Sequence, residues 1–166
     1  MRIAFILFLL SFTSSLFSQN NFAKELKGII EDSANHFQKF KGTAMEMSDT
    51  ESSYYNSTII LEGTRRNWVI IHRSVCSYDA DIADSVTKNR GKKILDDWKI
   101  QLASILGAAY KIEKSKPRSD SQFVDGWNFN NGNFSVSIML SQYFYDKSLY
   151  GVRLFIGHEH PTPKSL

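Results

Sequence analysis

The chain is poor in features that would assign it to a specialised class of protein. Its single cysteine, Cys76, excludes an internal disulfide, so a hydrophobic core must hold the fold together. The formal net charge of +3 is too small to indicate a nucleic-acid surface or an acidic membrane as the partner. The sequence contains no catalytic or cofactor-binding motif and no internal repeat. These absences predict a domain of ordinary globular composition without a cofactor.

The first eighteen residues have the layout of a secretory signal peptide. Arg2 supplies a positive charge, residues 3–10 form an unbroken apolar run, and small and polar residues lead to Ser18. A membrane-spanning helix needs about 20 apolar residues, and this run is about half as long. We expect cleavage after Ser18. The alternatives are an uncleaved anchor and a buried helix of a cytosolic protein.

The predicted leader sets the expected location and domain boundaries. An N-terminal lipid anchor is not expected, because it would need a cysteine at the cleavage point and the only one is at position 76. No later segment is long and apolar enough to cross a bilayer, so no stable membrane anchor is expected after cleavage. We therefore predict an exported protein, periplasmic or extracellular, with a signal peptide over 1–18, one domain over 19–160 and a tail over 161–166.

The N-terminal two thirds of the chain predict two helices that enclose a hairpin. Apolar residues at helical spacing indicate the helices, and β-branched and aromatic runs indicate the strands. The aspartates Asp79, Asp81 and Asp84 crowd the start of the second helix, where the helix dipole favours negative charge. In chain order the predictions are a helix over 21–40, a loop over 43–55 with a short strand around 43–47, hairpin arms over 57–62 and 67–73, and either one kinked helix or two over 79–109.

The C-terminal third predicts three antiparallel strands after a loop over 111–121. Apolar residues at every second position over 134–140 and 150–156 indicate strands with one covered face. A further strand is expected over 122–129, with turns over 130–132 and 146–149. The order α-β-β-α-β-β-β predicts an α+β two-layer sandwich, with two helices on one face of an antiparallel sheet of about five strands.

The alternation also predicts a binding surface on the face of the sheet that the helices leave open. If residues 134–140 face the helices, Met139, Tyr143 and Tyr145 face the other way, and Arg153 and Phe155 alternate likewise. Tyrosine and arginine are enriched in binding surfaces, because they combine a large contact area with polar groups. The alternatives are ordinary cross-strand pairing and cover by the loop over 43–55.

Three other groups of residues have the right chemistry for a site. His158 and His160 would point to the same side of an extended strand, where they could share a metal ion, but no third ligand is evident and a solvated tail near the chain end is the favoured explanation. His72 and Cys76 could form a base and nucleophile pair, whereas a free cysteine is commonly a buried apolar residue. The three aspartates could bind Ca²⁺, but they lack the glycine and the distal glutamate of an EF-hand loop.

These observations favour an exported, non-catalytic binding domain that uses the open sheet face and its neighbouring loops. The partner would be another protein or a small ligand, and nucleic acid is not expected. The alternative is a small secreted hydrolase or metal-binding protein that uses His158 and His160, or His72 and Cys76.

Overall fold

The computed structural model describes residues 21–46, 51–73, 75–115 and 122–158, and its elements form one sheet with two helices. Helix α1 covers 21–32, and two 3₁₀ turns, Ser33–Asn35 and Gln38–Phe40, follow it. The remaining elements are β1 (Lys41–Ala44), β2 (Ser52–Ser57), β3 (Arg66–His72), β4 (Val75–Val86), α2 (Lys88–Leu106), β5 (Lys111–Lys114), β6 (Phe123–Asn131), β7 (Phe134–Gln142) and β8 (Tyr150–His158).

All neighbouring strands of the sheet are antiparallel, which confirms the predicted α+β class. The strand order is β1-β2-β3-β4-β8-β7-β6-β5. Within the described residues the sheet has eight strands, so the prediction of about five was wrong. Each helix is followed by four strands that pair in chain order, and the two groups meet where β4 pairs with β8. The molecule therefore has two halves with the same order of elements.

The core lies between the helices and one face of the sheet, which we call the covered face. Helix α1 contributes Phe22, Leu26 and Ile29, and helix α2 contributes Leu95, Trp98 and Leu102. The rings of Phe22 and Trp98 meet edge to face at 5.2 Å, which joins the two helices. None of the helices in the described ranges combines the length and apolarity needed to cross a bilayer.

The largest error in the predicted elements concerns 79–86, which form the last eight residues of strand β4 and not the start of a helix. Tyr78 and Ala80 pack into the core on the covered face, whereas Asp79 and Asp81 point to the opposite, open face. Helix α2 is one continuous element that begins at Lys88. Gly91 lets it pack closely on the sheet, because a Cβ there would lie 2.5 Å from Cδ1 of Leu140 and would force that side chain to move.

The N-terminal half also departs from the predicted boundaries. Residues 57–62 were predicted as a strand, yet strand β2 ends at Ser57 and the apolar stretch becomes an irregular connection over 58–65. Leu61 in that connection is fully buried, so the apolar run reflects burial without strand pairing. The first helix ends at 32 and not at 40, because His36 and Phe37 have left-handed conformations with φ angles of 55° and 56°.

The C-terminal half follows its prediction more closely. Strands β6, β7 and β8 and the predicted turn over 146–149 are present. The first turn lies at 132–133 and not at 130–132, because Asn130 and Asn131 pair within the sheet, and Gly132 supplies its positive φ of 61°. The exception is β5, which the sequence predicted as part of a loop. Its four residues pair with β6 at the edge of the sheet. A short and strongly charged strand of this kind carries too little alternation to be recognised.

Candidate functional site

The open face of the sheet carries two cross-strand rows of charged and aromatic side chains. Both rows run across β3, β4 and β8, because residues in register on neighbouring strands point to the same side. One row is charged and the next is aromatic with a carboxyl at its centre. We call them the charged row (Arg66, Asp81 and Arg153) and the aromatic row (Trp68, Asp79 and Phe155).

The charged row is a carboxylate held between two guanidinium groups. Arg66 donates from Nη2 and Nε to Oδ2 of Asp81, at 2.8 and 3.2 Å. Arg153 Nε lies 3.0 Å from Oδ1 of the same carboxylate. The Asp81 side chain is 4% exposed, whereas those of Arg66 and Arg153 are 62% and 53% exposed. Asp81 therefore fixes the positions of two cations whose remaining nitrogens face solvent.

Asp79 in the aromatic row is a buried carboxyl with one free oxygen. Ser77 Oγ donates to its Oδ1 at 2.6 Å, and Oδ2 has no hydrogen-bond partner among the described residues. Burial raises the pKa of Asp79 to about 7, and the negative charge of Asp81 acts in the same direction. The Ser77 hydrogen bond and the charge of Arg153 lower this pKa and only partly offset the effect of burial. Asp79 therefore changes its charge near neutral pH.

A cavity of about 520 Å³ opens beside both rows. This volume lies within the range of pockets that hold small ligands, roughly 300–1,000 Å³. Its wall combines apolar and aromatic side chains with three arginines and the carboxyl of Asp79. We call it the open-face cavity; its lining residues are Met45, Tyr54, Asn56, Ser57, Ile60, Arg65, Arg66, Asn67, Trp68, Ile70, Asp79 and Arg153.

A buried hydrogen-bond network holds the connection over 58–65 against the rim of this cavity. Tyr78 donates its hydroxyl to Oδ1 of Asn67 at 2.8 Å, and the backbone N–H of Leu61 donates to the same oxygen at 3.1 Å. Asn67 Nδ2 donates in turn to Oγ1 of Thr64 at 2.7 Å. Burial raises the pKa of Tyr78 to about 12, so this phenol stays a donor. The network thereby positions Ile60 and Arg65, which stand at the rim.

The structure brings three of the four predicted binding residues together. Tyr143, Arg153 and Phe155 line a smaller cavity of about 150 Å³, and Arg153 also lines the open-face cavity. Tyr145 lies in the turn between β7 and β8 and is 97% exposed. It contacts the ring of Phe144 edge to face at 5.2 Å and lines neither of these two cavities.

The predicted pair of His72 and Cys76 is not assembled. His72 is in register with Ser52 and Val75, and its Nδ1 lies 2.8 Å from Oγ of Ser52. Cys76 is in register with Ile71 and is buried on the covered face, where burial raises the pKa of its thiol. The two side chains therefore lie on opposite faces of the sheet.

The described residues do not form a metal site. His158 is the last residue of β8, and His160 lies outside the described residues. The interpretation of Asp79, Asp81 and Asp84 as carboxylates at a helix start was wrong, because all three lie on strand β4. Asp84 instead lies 3.6 Å from Nη2 of Arg66. Across the described ranges, no group of three or more His, Cys, Asp or Glu side chains is placed to hold a metal ion.

Sequence reasoning missed most of the residues that form the open-face cavity. Arg66 and Trp68 were predicted to lie on or beside a strand, but no pattern marked them as part of a site. The alternation Asp79, Ala80, Asp81, Ile82 did contain a signal for a strand with one polar face. No family model, curated protein or solved structure matches this chain, so the candidate site rests on its own geometry.

Proposed function

We propose that this protein is an exported, non-catalytic binding domain that holds a small ligand in the open-face cavity. The observation that carries the proposal is the cavity itself. It combines a volume of about 520 Å³, an aromatic wall and a buried carboxyl with a free oxygen. Ligand pockets have this composition, in which a few placed polar groups stand among apolar ones.

The arrangement of charges supports binding more than proton transfer between two carboxyls. Asp81 is fully engaged with Arg66 and Arg153, so it serves to position these two cations. Asp79 is then the one carboxyl that lines the open-face cavity among the described residues. Of the two partner classes predicted from the sequence, a small ligand fits this concave space better than a flat protein surface does.

A ligand screen read by two-dimensional NMR tests the proposed cavity. The protein is purified from cells that express the full sequence and is screened against a library of small polar and apolar fragments. We expect hits to shift the indole signal of Trp68 and the amide signal of Asp79. In Trp68→Ala, which has no indole at this position, the shift of the Asp79 amide signal should be lost. Trp68 is the residue of choice because its ring lines the cavity and is part of the aromatic row.

A groove on the outer side of α2 provides the matched control. It has a similar volume of about 420 Å³ and is lined by Asp97, Ile100, Gln101, Ser104 and Ile105. Ile100→Ala should leave the hits unchanged. Hits that shift only the signals of residues in the α2 groove, or hits that still bind to Trp68→Ala, would refute the proposed binding site.

The proposed location has its own test. Support for export comes from the charge, apolar run and small residues of 1–18, which lie outside the described residues. The intact mass of the protein from its native host should correspond to a chain that begins at Gln19. A cytosolic species that retains the leader would contradict export and leave the binding proposal in place.

A further inference from the structure

We propose that the ligand of the open-face cavity is an amphipathic organic carboxylate. Its apolar body would lie against Trp68 and Ile70, and its anionic group would lie at the arginines that line the cavity. This inference deepens the proposed function and rests on it. The supporting observations are the excess of cations over available anions, the apolar character of the remaining wall, and the position of Asp79.

The cavity is lined by more cationic than anionic groups. Arg65, Arg66 and Arg153 line it, and Asp79 is the single acidic residue among the described lining residues. Asp81 neutralises part of this charge through Arg66 and Arg153. Arg65 is exposed and makes no ion pair with the described residues, so its guanidinium group is available to a ligand. A guanidinium group binds a carboxylate through two parallel hydrogen bonds, which favours an anion of this geometry.

The rest of the wall fits an apolar body. Trp68 and Ile70 are half-buried neighbours on the open face of β3, and Ile60 at the rim is 63% exposed. An exposed isoleucine beside a cavity is apolar surface that a ligand can remove from water. Arg66 also stands over the Trp68 ring, with 5.5 Å between its guanidinium carbon and the ring centroid. The cationic and apolar parts of the wall are therefore adjacent, as an amphipathic ligand requires.

Asp79 controls the net charge of this site. Besides Asp79, which is hydrogen-bonded to Ser77, the site contains five charged groups. They are Asp81 and Asp84 on β4, Arg65 in the connection before β3, Arg66 on β3 and Arg153 on β8. With Asp79 protonated, the three arginines exceed the two remaining carboxylates. With Asp79 ionised, the charges balance and a bound carboxylate meets a like charge. A bound carboxylate should therefore favour the protonated form of Asp79.

Three eight-carbon probes that differ only in their polar group test the inference: octanoate, 1-octanol and octylamine. Their affinities are measured at pH 6 by NMR titration of the Trp68 indole signal. We expect octanoate to bind roughly tenfold more tightly than octanol, and octylamine to bind most weakly. Arg65→Gln should weaken octanoate about fivefold and leave octanol unchanged. Arg90→Gln, which removes an exposed arginine on α2, is the control for net charge.

A second measurement follows the affinity for octanoate from pH 6 to pH 8. An alkyl carboxylic acid is ionised over this whole range, so the probe itself does not titrate. We expect the affinity to fall roughly threefold to tenfold as Asp79 ionises, whereas the affinity for octanol stays constant. Asp79→Asn should abolish this dependence on pH, because an amide has no proton to lose.

The outcomes separate this inference from the function on which it rests. Octanol that binds as tightly as octanoate, or octylamine that binds more tightly, would overturn the carboxylate assignment and preserve ligand binding in the cavity. If none of the three probes shifts the Trp68 signal at millimolar concentration, both the inference and the proposed cavity function fail. An affinity for octanoate that is independent of pH would reject the role assigned to Asp79.

Discussion

The two halves of the molecule share an order of elements but differ in what they place on the open face. Each half has a helix followed by four antiparallel strands. In the C-terminal half, the open face of β7 and β8 carries mainly small residues such as Ser135, Ser137 and Gly157. In the N-terminal half, β3 and β4 carry four of the six residues of the charged and aromatic rows, and β8 supplies the other two, Arg153 and Phe155. The comparison teaches that one half acts as a scaffold and the other forms most of the site.

The largest change in the free energy of unfolding is expected from a loss of core volume in the scaffold half. Leu154 on β8 is fully buried between the helices and the sheet. We expect Leu154→Ala to lower the free energy of unfolding by about 2–5 kcal/mol, because it leaves a cavity in a packed interior. Ile60→Ala, at a 63% exposed position of the other half, should change it by less than about 0.5 kcal/mol. Chemical denaturation measures both, and equal effects would show that Leu154 does not belong to a packed core.

The site half should gain stability when its buried acid is made neutral. The pKa of Asp79 is raised from 3.8 to about 7, so between these pH values the folded state binds the proton more tightly than the unfolded state. Stability is therefore lost as the pH rises through this window. Asp79→Asn should raise the free energy of unfolding by about 2–4 kcal/mol at pH 8 and have little effect at pH 4. Denaturation curves at both pH values check this, and equal shifts at both would contradict it.

The contact between the halves should show a smaller effect. Asp81→Asn removes the negative charge that joins Arg66 of one half to Arg153 of the other. Because both arginines are more than half exposed, solvent can replace part of the interaction, and we expect a loss of about 1–2 kcal/mol. Asp97→Asn, which breaks the exposed pair with Lys93, should cost no more than about 0.5 kcal/mol. Denaturation that ranks the two variants in reverse order would show that the charged row does not join the halves.

The smallest effect is expected at the turn between β7 and β8. Tyr145 is 97% exposed, so Tyr145→Ala should change the free energy of unfolding by less than about 0.5 kcal/mol. It should also leave the affinity for octanoate unchanged, since the residue lines neither of the two cavities on the open face. NMR titration checks the second point. A weaker affinity for octanoate in this variant would show that Tyr145 takes part in binding, as the sequence predicted.

Local sequence patterns were sufficient for three of the four strands of the scaffold half, β6, β7 and β8. The period of two in β7 and β8 predicted both strands and placed Arg153 and Phe155 on the open face. Alternation works there because one face meets the helices, where every second residue is apolar and buried. The period of two is therefore preserved along each strand.

The same patterns were insufficient for the site half, for a physical reason. Aspartate is disfavoured in strands and favoured at helix starts, so Asp79 and Asp81 indicated a helix. In the structure the charge of Asp81 is stabilised by Arg66, fifteen positions away, and by Arg153 on the last strand. Such distant pairings leave no mark in a local pattern. The open-face cavity could not be predicted for the same reason, because β3, β4, β8 and two connections all contribute to it.

The position of β8 has a consequence for the way this sheet forms. β8 follows the other seven described strands in the chain, yet it lies between β4 and β7 at the centre of the sheet. A chain that stops before residue 150 would leave the hydrogen-bonding edges of β4 and β7 unpaired, and unpaired edges promote aggregation between strands. Completion of the sheet depends on contacts between residues far apart in sequence, which slow folding. Synthesis of this protein therefore passes through an aggregation-prone stage that ends only when β8 inserts.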